Sequence, residues 1–305
     1  MEETMKPILT GFFDHHQQIT FDEMIQFTDR YELDQICIRQ FNKKPIIEIN
    51  DADIKNMLQS LKTSKNKIAI IDSCIKPFDI HQEAKFQEAL DEFKYILKVA
   101  EKLKVSHIML ELPIFVDVIQ EFELIKSRIE PFVDASMKSG RKIIIKPSRG
   151  YKANVYQFIF KKIKTSHLGI LFDPVFFMMN NESTTTAYRI LKSNIYAFSF
   201  HDANHQGEEA LVGYGKADVV AICKKLLRDR YDGFILMDNQ FRPESFELAE
   251  TKKSFFAKLF SNDKKKKERY ISELSKKIFP NEETKNVTYD DILENQIRLV
   301  KTIFK

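Results

Sequence analysis

Residues 141–150 read RKIIIKPSRG. The β-branched run Ile143, Ile144 and Ile145 favours a strand, and it is continuous where a half-exposed strand would alternate with polar residues. A strand apolar on both faces belongs to a parallel sheet covered by helices. It stops abruptly at Lys146, Pro147 and a polar loop. A positive charge where such a strand emerges is costly unless an anion meets it. The partner of Lys146 is therefore the first thing the fold has to supply.

Seven more runs of this kind lie along the chain: ILTGFF (8–13), QICIRQF (35–41), KIAIIDS (67–73), SHIMLEL (106–112), LGILFD (168–173), IYAFSFH (195–201) and GFILMD (233–238). Helix-period segments separate them, at 21–31, 51–61, 81–103, 115–138, 154–163, 184–192 and 219–230. In the third, Phe86, Leu90, Phe93 and Leu97 make one buried stripe. Thr20 followed by Glu23 is a capping-box pattern, and Asp51 stands at the start of the next helix. Eight βα alternations with short connections specify an α/β protein, a closed (β/α)8 or TIM barrel over 1–305, rather than an open doubly wound sheet. Neither GxGxxG nor GxxxxGK[ST] occurs, which removes support for the nucleotide-binding α/β classes.

The rhythm breaks after the eighth strand. A final amphipathic helix, TYDDILENQIRLVKTIF (288–304), can turn Ile292, Ile297, Val300 and Ile303 to the barrel, leaving 242–286 as an insertion before it. Such an insertion belongs at the C-terminal rim. Within it Phe255, Phe256, Leu259 and Phe260 share a side among lysines, which suits docking on the barrel or a second subunit, a homodimer, or a membrane surface.

Bulk properties narrow the function. A net charge of +4 with one dense basic run, KKKKER at 264–269, reads as a solvated face. A nucleic-acid binder would show a basic stripe interleaved with aromatics. No stretch reaches the roughly 20 apolar residues of a membrane span, and MEETMKPILT lacks a signal-peptide core, so a cytoplasmic protein is expected. Cys37, Cys74 and Cys223 are far apart and read as reduced, mostly buried thiols.

In a (β/α)8 barrel, chemistry is carried at the C-terminal strand ends. These ends present Arg39, Asp72 with Ser73, Glu111, Lys146, Asp173, His201 with Asp202, and Asp238 with Asn239. Strand alternation lets Lys146, Asp173, His201 and Asp238 point inward together. Convergence on one mouth marks a candidate site.

The stretch FSFHDA (198–203), followed by VGYGKADVVAICKKLLRDRYDGFILMD (212–238), resembles the C-terminal signature of the xylose-isomerase-like TIM barrels. Gly213, Gly215 and Asp218 keep the turn of that signature, and Tyr231, Asp232 and Gly233 its approach to strand eight. The segment 37–77 is similar to one branch, in which an Arg ends strand two and a Ser loop ends strand three. The resemblance implies a sugar or sugar-phosphate isomerase or epimerase with one divalent ion, such as Mn, Zn, Mg or Co, held by Glu, Asp, His and Glu. Carried across, those positions are Lys146, Asp173, His201 and Asp238. One ligand is inverted to a cation and one is shortened; Phe176 stands where a substrate-binding His is common.

From this we expect Lys146 to face Asp173 and Asp238 where the ion would otherwise sit, supplying its charge internally, so that no metal is bound. Lys146, Asp238, Glu111 and His201 are then the catalytic candidates. Arg39, Ser73, Lys76, Arg149, Asp202, Asn204 and Asn239 are the substrate-binding candidates, and the cations Arg39, Lys43, Lys76, Lys146 and Arg149 suit a phosphate or acidic group. Three readings stand side by side: metal-independent proton transfer next to a carbonyl, with Lys146 and Arg39 as electrophiles; a non-catalytic barrel that binds a sugar phosphate as a sensor or interaction module; and a Schiff-base lyase using Lys146. Neighbouring carboxylates count against the third, because they favour the ammonium over the free amine. Endonuclease-type repair is disfavoured, since it needs three metals and many more His ligands than His201, His205, His15 and His16 supply.

Overall fold

Every continuous apolar run forms a strand. A computed structural model describes residues 6–14, 19–237, 261–283 and 286–305. The strands are β1 (Ile8–Thr10), β2 (Gln35–Ile38), β3 (Lys67–Asp72), β4 (His107–Glu111), β5 (Lys142–Lys146), β6 (Leu168–Phe172), β7 (Ile195–Ser199) and β8 (Phe234–Leu236). All pair in parallel in the order β1-β8-β7-β6-β5-β4-β3-β2. The sheet curls until its two ends meet: the Cys37 amide donates to the Gly11 carbonyl at 2.8 Å, and the Thr10 hydroxyl donates to the Gln35 carbonyl at 3.0 Å.

Alternation divides the isoleucine run between two cores. Ile144 packs inside the barrel with Cys37, Ile70, Met109, Leu171 and Ala197. Ile143 and Ile145 face outward under the helices, in the larger cluster that includes Phe93 and Phe132. All three are at most 1% exposed, and each such side chain contributes roughly 1.5–3 kcal/mol of burial.

The helix boundaries refine the sequence pattern. Thr20 caps α1 (Phe21–Arg30) in a complete capping box with Glu23. In α2 (Asp51–Thr63) the cap lies one residue before Asp51, at Asn50, boxed with Asp53. The helix expected from 115 begins only at Phe122, as α4 (Phe122–Lys138), after α3 (Glu83–Lys102). Residues 115–121 form instead a loop in which Glu121 accepts the amides of Val116 and Asp117, and Asp117 accepts those of Ile119 and Gln120. Phe115 stacks on Tyr151 there at 4.4 Å. These local bonds compete with helix formation and win.

The final helix, Tyr289–Ile303, buries Ile292, Ile297 and Val300 as its pattern requires, with Ile303 half-buried. Before it runs a helix at Ser261–Ile278, which buries Ile271, Leu274 and Ile278. Lys277 lies over the Tyr214 ring at 4.7 Å, so this helix meets the loop after β7. The aromatic segment 255–260 lies outside the described residues, as do His15 and His16. Among the described residues no helix is long and apolar enough to cross a membrane. Cys37 and Cys223 are buried, whereas Cys74 is exposed.

Asp202, directly after His201, fixes the approach to the mouth. Its carboxylate, 2% exposed, accepts four backbone amides: Ala203 at 2.9 Å, Gly213 at 3.0 Å, and Gly215 and Ala217 both at 3.1 Å. One buried anion therefore closes the whole glycine turn that leads into the next helix, Val219–Arg228. Gly215 is required for this closure, because a Cβ there would lie 2.0 Å from Asp202 Oδ1. Asp202→Ala leaves several buried amides unpaired and is expected to lower the unfolding free energy by about 3 kcal/mol or more. Urea denaturation measures this, and Gly215→Ala should reproduce much of the loss.

Candidate active site at the C-terminal mouth

The inward phase of each strand continues past its end into the mouth: Cys37 to Arg39, Ile70 to Asp72, Met109 to Glu111, Ile144 to Lys146, Leu171 to Asp173 and Ala197 through Ser199 to His201. Asp238 and Asn239 lie outside the described residues. The six described strand-end groups do not form one cluster. They sort into three charge groups around the rim: Arg39 with Asp14, Lys146 with Asp72 and Glu111, and Asp173 with His201.

Arg39 donates from Nε to Asp14 at 2.8 Å and from its second terminal nitrogen at 2.5 Å, a bidentate contact to a carboxylate only 4% exposed. Its guanidinium also lies over the Phe12 ring at 4.5 Å. Asp14 follows the first strand run, and nothing in the sequence pattern marked it as the partner of Arg39.

Lys146 finds its anions on the side opposite to expectation. Its Nζ donates to both oxygens of Asp72, at 3.0 and 2.9 Å, and stands 3.9 Å from Glu111 Oε1. It is not within ion-pairing distance of Asp173. The reason is geometric. The inward side chain on β5 can cross over β4 to β3 or over β6 to β7, and the buried carboxylate, 7% exposed, is Asp72. Asp72 also accepts the amide of Cys74, which adopts a left-handed φ of 52° to reach it. Glu111, 28% exposed, is held only by the longer contact and is the more open of the two carboxylates.

Across the mouth, Asp173 Oδ1 and His201 Nε2 are 3.0 Å apart. Asp173 also accepts the Phe176 amide as the N-cap of a short helix, Pro174–Met179. Burial pushes the Asp173 carboxyl upward, but the contact with His201 and the two helix amides outweigh it and hold it below its ordinary value of 3.8.

The remaining predicted residues have other work or stand apart. Ser73 is 1% exposed, with its hydroxyl accepting the Ile75 amide. Asp202 is spent on the glycine turn, and Asn204 braces its own loop through the amides of Gln206 and Glu208. Lys76 and Arg149 are exposed.

A divalent ion requires several convergent anionic or imidazole donors. At the carried-over positions β5 offers an ammonium, and Asp173 Oδ1 is bonded to His201. Among the described residues no group of three or more His, Cys, Asp and Glu side chains is placed to hold a metal.

A family model described as the xylose isomerase-like TIM barrel matches residues 28–258. No curated protein sequence matches the chain significantly. Among solved structures, D-psicose 3-epimerase of Clostridium cellulolyticum H10, crystallised with D-tagatose, is 12% identical with a TM-score of 0.65, covering 98% of this chain and 97% of its own. A D-tagatose 3-epimerase-like protein is 15% identical, TM-score 0.62, over 77% of this chain and 91% of its own. The probable 3-DHS dehydratase AsbF of Bacillus anthracis is 16% identical, TM-score 0.62, over 76% and 92%. At these identities the likeness is one of fold.

Two measurements check the pairs. Lys146→Met strands the buried Asp72 carboxylate, and after discounting for the partial exposure of the lysine we expect a loss of about 2 kcal/mol in urea denaturation. Adding Asp72→Asn should recover most of it in a double-mutant cycle. Because the folded state holds Asp173 below 3.8, its stabilisation is complete above that pH and is lost as pH falls through the lowered value. Asp173→Asn should therefore flatten the acid limb of the stability profile.

Proposed function

The chain belongs to the xylose isomerase-like TIM barrel family, and from that premise we propose that it binds a small sugar or sugar phosphate at this mouth and shifts a proton next to the carbonyl without a divalent ion. The observation that carries the reading is the Lys146 ammonium fixed between Asp72 and Glu111. In the reaction, the Glu111 carboxylate removes a proton from the carbon beside the carbonyl. The C–H electrons form the carbon–carbon double bond, and the carbonyl electrons move onto oxygen, giving an enediolate. Lys146 donates a hydrogen bond to that oxygen and stabilises its charge. For isomerisation the proton returns to the former carbonyl carbon while the adjacent hydroxyl passes its proton to the enediolate oxygen and becomes the new carbonyl. For epimerisation a proton is delivered to the other face of the original carbon, with the carbonyl restored where it was. His201, oriented by Asp173, stands across the mouth as a second proton carrier.

Supplying a cation from the chain is the local equivalent of what an ion does in metal-dependent isomerases. Asp72 keeps that cation in place, and the fork of Arg39 is held likewise by Asp14. The Schiff-base alternative is disfavoured by the same pair of carboxylates. Complete neutralisation of Arg39 and Lys146 is the feature that favours a binding barrel without turnover, and the exposed Lys76 and Arg149 are rim cations left for a phosphate.

Proton exchange separates the two readings. Ketohexoses and their phosphates incubated with the protein in D2O should gain deuterium beside the carbonyl, and Glu111→Gln should slow this by about 100-fold or more. Binding without exchange across the panel would support the non-catalytic barrel. Elemental mass spectrometry tests the lysine directly: the parent should carry no stoichiometric divalent ion, whereas Lys146→Glu should gain affinity for one. A stoichiometric ion in the parent overturns the substitution.

A further inference from the structure

At the opposite, N-terminal end of the barrel a cleft of about 480 Å3 opens beside the connection into β8. That is the size of a pocket for a small organic ligand, roughly 300–1,000 Å3. Its floor is aromatic. The β6–β7 register shifts between Ile170 and Leu171, which pair with Ile195 and Ala197, so Tyr196 is left unpaired in the ladder as a bulge. Its ring lies across Gly169, where a Cβ would come within 2.4 Å of it, and its hydroxyl donates to the Ser166 carbonyl at 2.5 Å. Phe234 lies beside it, with the His107 ring edge-on to both at 4.9 and 6.0 Å.

Two polar groups enter this aromatic floor from inward strand positions. His107 has Nδ1 bonded with the Ser106 hydroxyl at 2.7 Å, and burial with the nearby Lys142 charge pushes its pKa down to about 4, so the ring is neutral at physiological pH. Lys142 lies over the Tyr196 ring at 5.2 Å, and among the described residues no carboxylate pairs with it. Asp229 at the rim is already bonded by Arg228, Tyr188 and Lys192. Arg230 and Asp232 complete the charged rim. Stability alone gives no reason for this composition. The N-terminal face of a barrel serves packing, and an apolar plug would avoid a partly buried imidazole beside a lysine charge.

We propose that this cleft is a second binding site, separate from the mouth, for an aromatic carboxylate. The ligand ring lies on Phe234 and Tyr196, and its acid group meets Lys142, with the His107 Nε2 edge as the second polar contact. Aromatic stacking supplies contact area and the charge-assisted bond supplies the selection for an acid.

Calorimetric titration with 4-hydroxybenzoate, set against the neutral 4-hydroxybenzamide, tests the site in the full chain. We expect binding of the acid, at least about tenfold weaker binding of the amide, and a similar loss in Lys142→Ala, the worth of one charge-assisted contact. Lys142 is exposed, so its replacement leaves the fold intact. The His107 imidazole proton signals should move on titration while those of His201 stay fixed. No binding at millimolar acid, equal binding of acid and amide, unchanged affinity in Lys142→Ala, or shifts centred on His201 would each overturn the proposal.

Discussion

A lysine at the end of a strand buried on both faces must have its charge met inside the protein, and much of the mouth is arranged around that requirement. Asp72 meets it from two strands away, with both oxygens on the ammonium and solvent almost excluded. To present those oxygens the backbone after β3 turns through the left-handed residue Cys74. Glu111, on the strand between, is left with the weaker share of the cation and the more open position. The ion pair that makes the buried charge tolerable also leaves Glu111 the more exposed of the two carboxylates.

The other two pairs follow the same rule with different partners. Arg39 is satisfied by Asp14 across the seam where the sheet closes, so this pair joins the first and second strands at a point where ladder bonds are few. Asp173 and His201 satisfy each other between β6 and β7. An ammonium held in the mouth between Asp72 and Glu111 repels a free cation.

Much of this was legible in the sequence. Continuous apolar runs marked all eight strands, because burial on both faces leaves no alternative pattern, and strand phase named the residues that turn inward. The partner of Lys146 was not legible. Phase gives the direction in or out, but the way an inward side chain leans around the barrel depends on strand tilt and on which neighbour is buried deeper. Asp14 was missed because it lies beyond the strand run. Asp202 was read as a ligand contact because an acidic residue beside a strand-end histidine looks the same in sequence whether it faces substrate or four backbone amides. The stretch 115–121 carries helix-like apolar spacing, yet its two acidic side chains capture the amides a helix would need.

The glycine turn held by Asp202 has a wider implication for how such a barrel diversifies. Its four bonds run to main-chain amides, so they specify the path of the loop while ignoring most of the side chains carried on it. Residues between the anchor points, such as His205 and Tyr214, can change without loosening the frame. The carboxylate works as a mounting bracket: it decouples what the loop displays from how the loop is held, so new specificities can be tried there at little risk to folding.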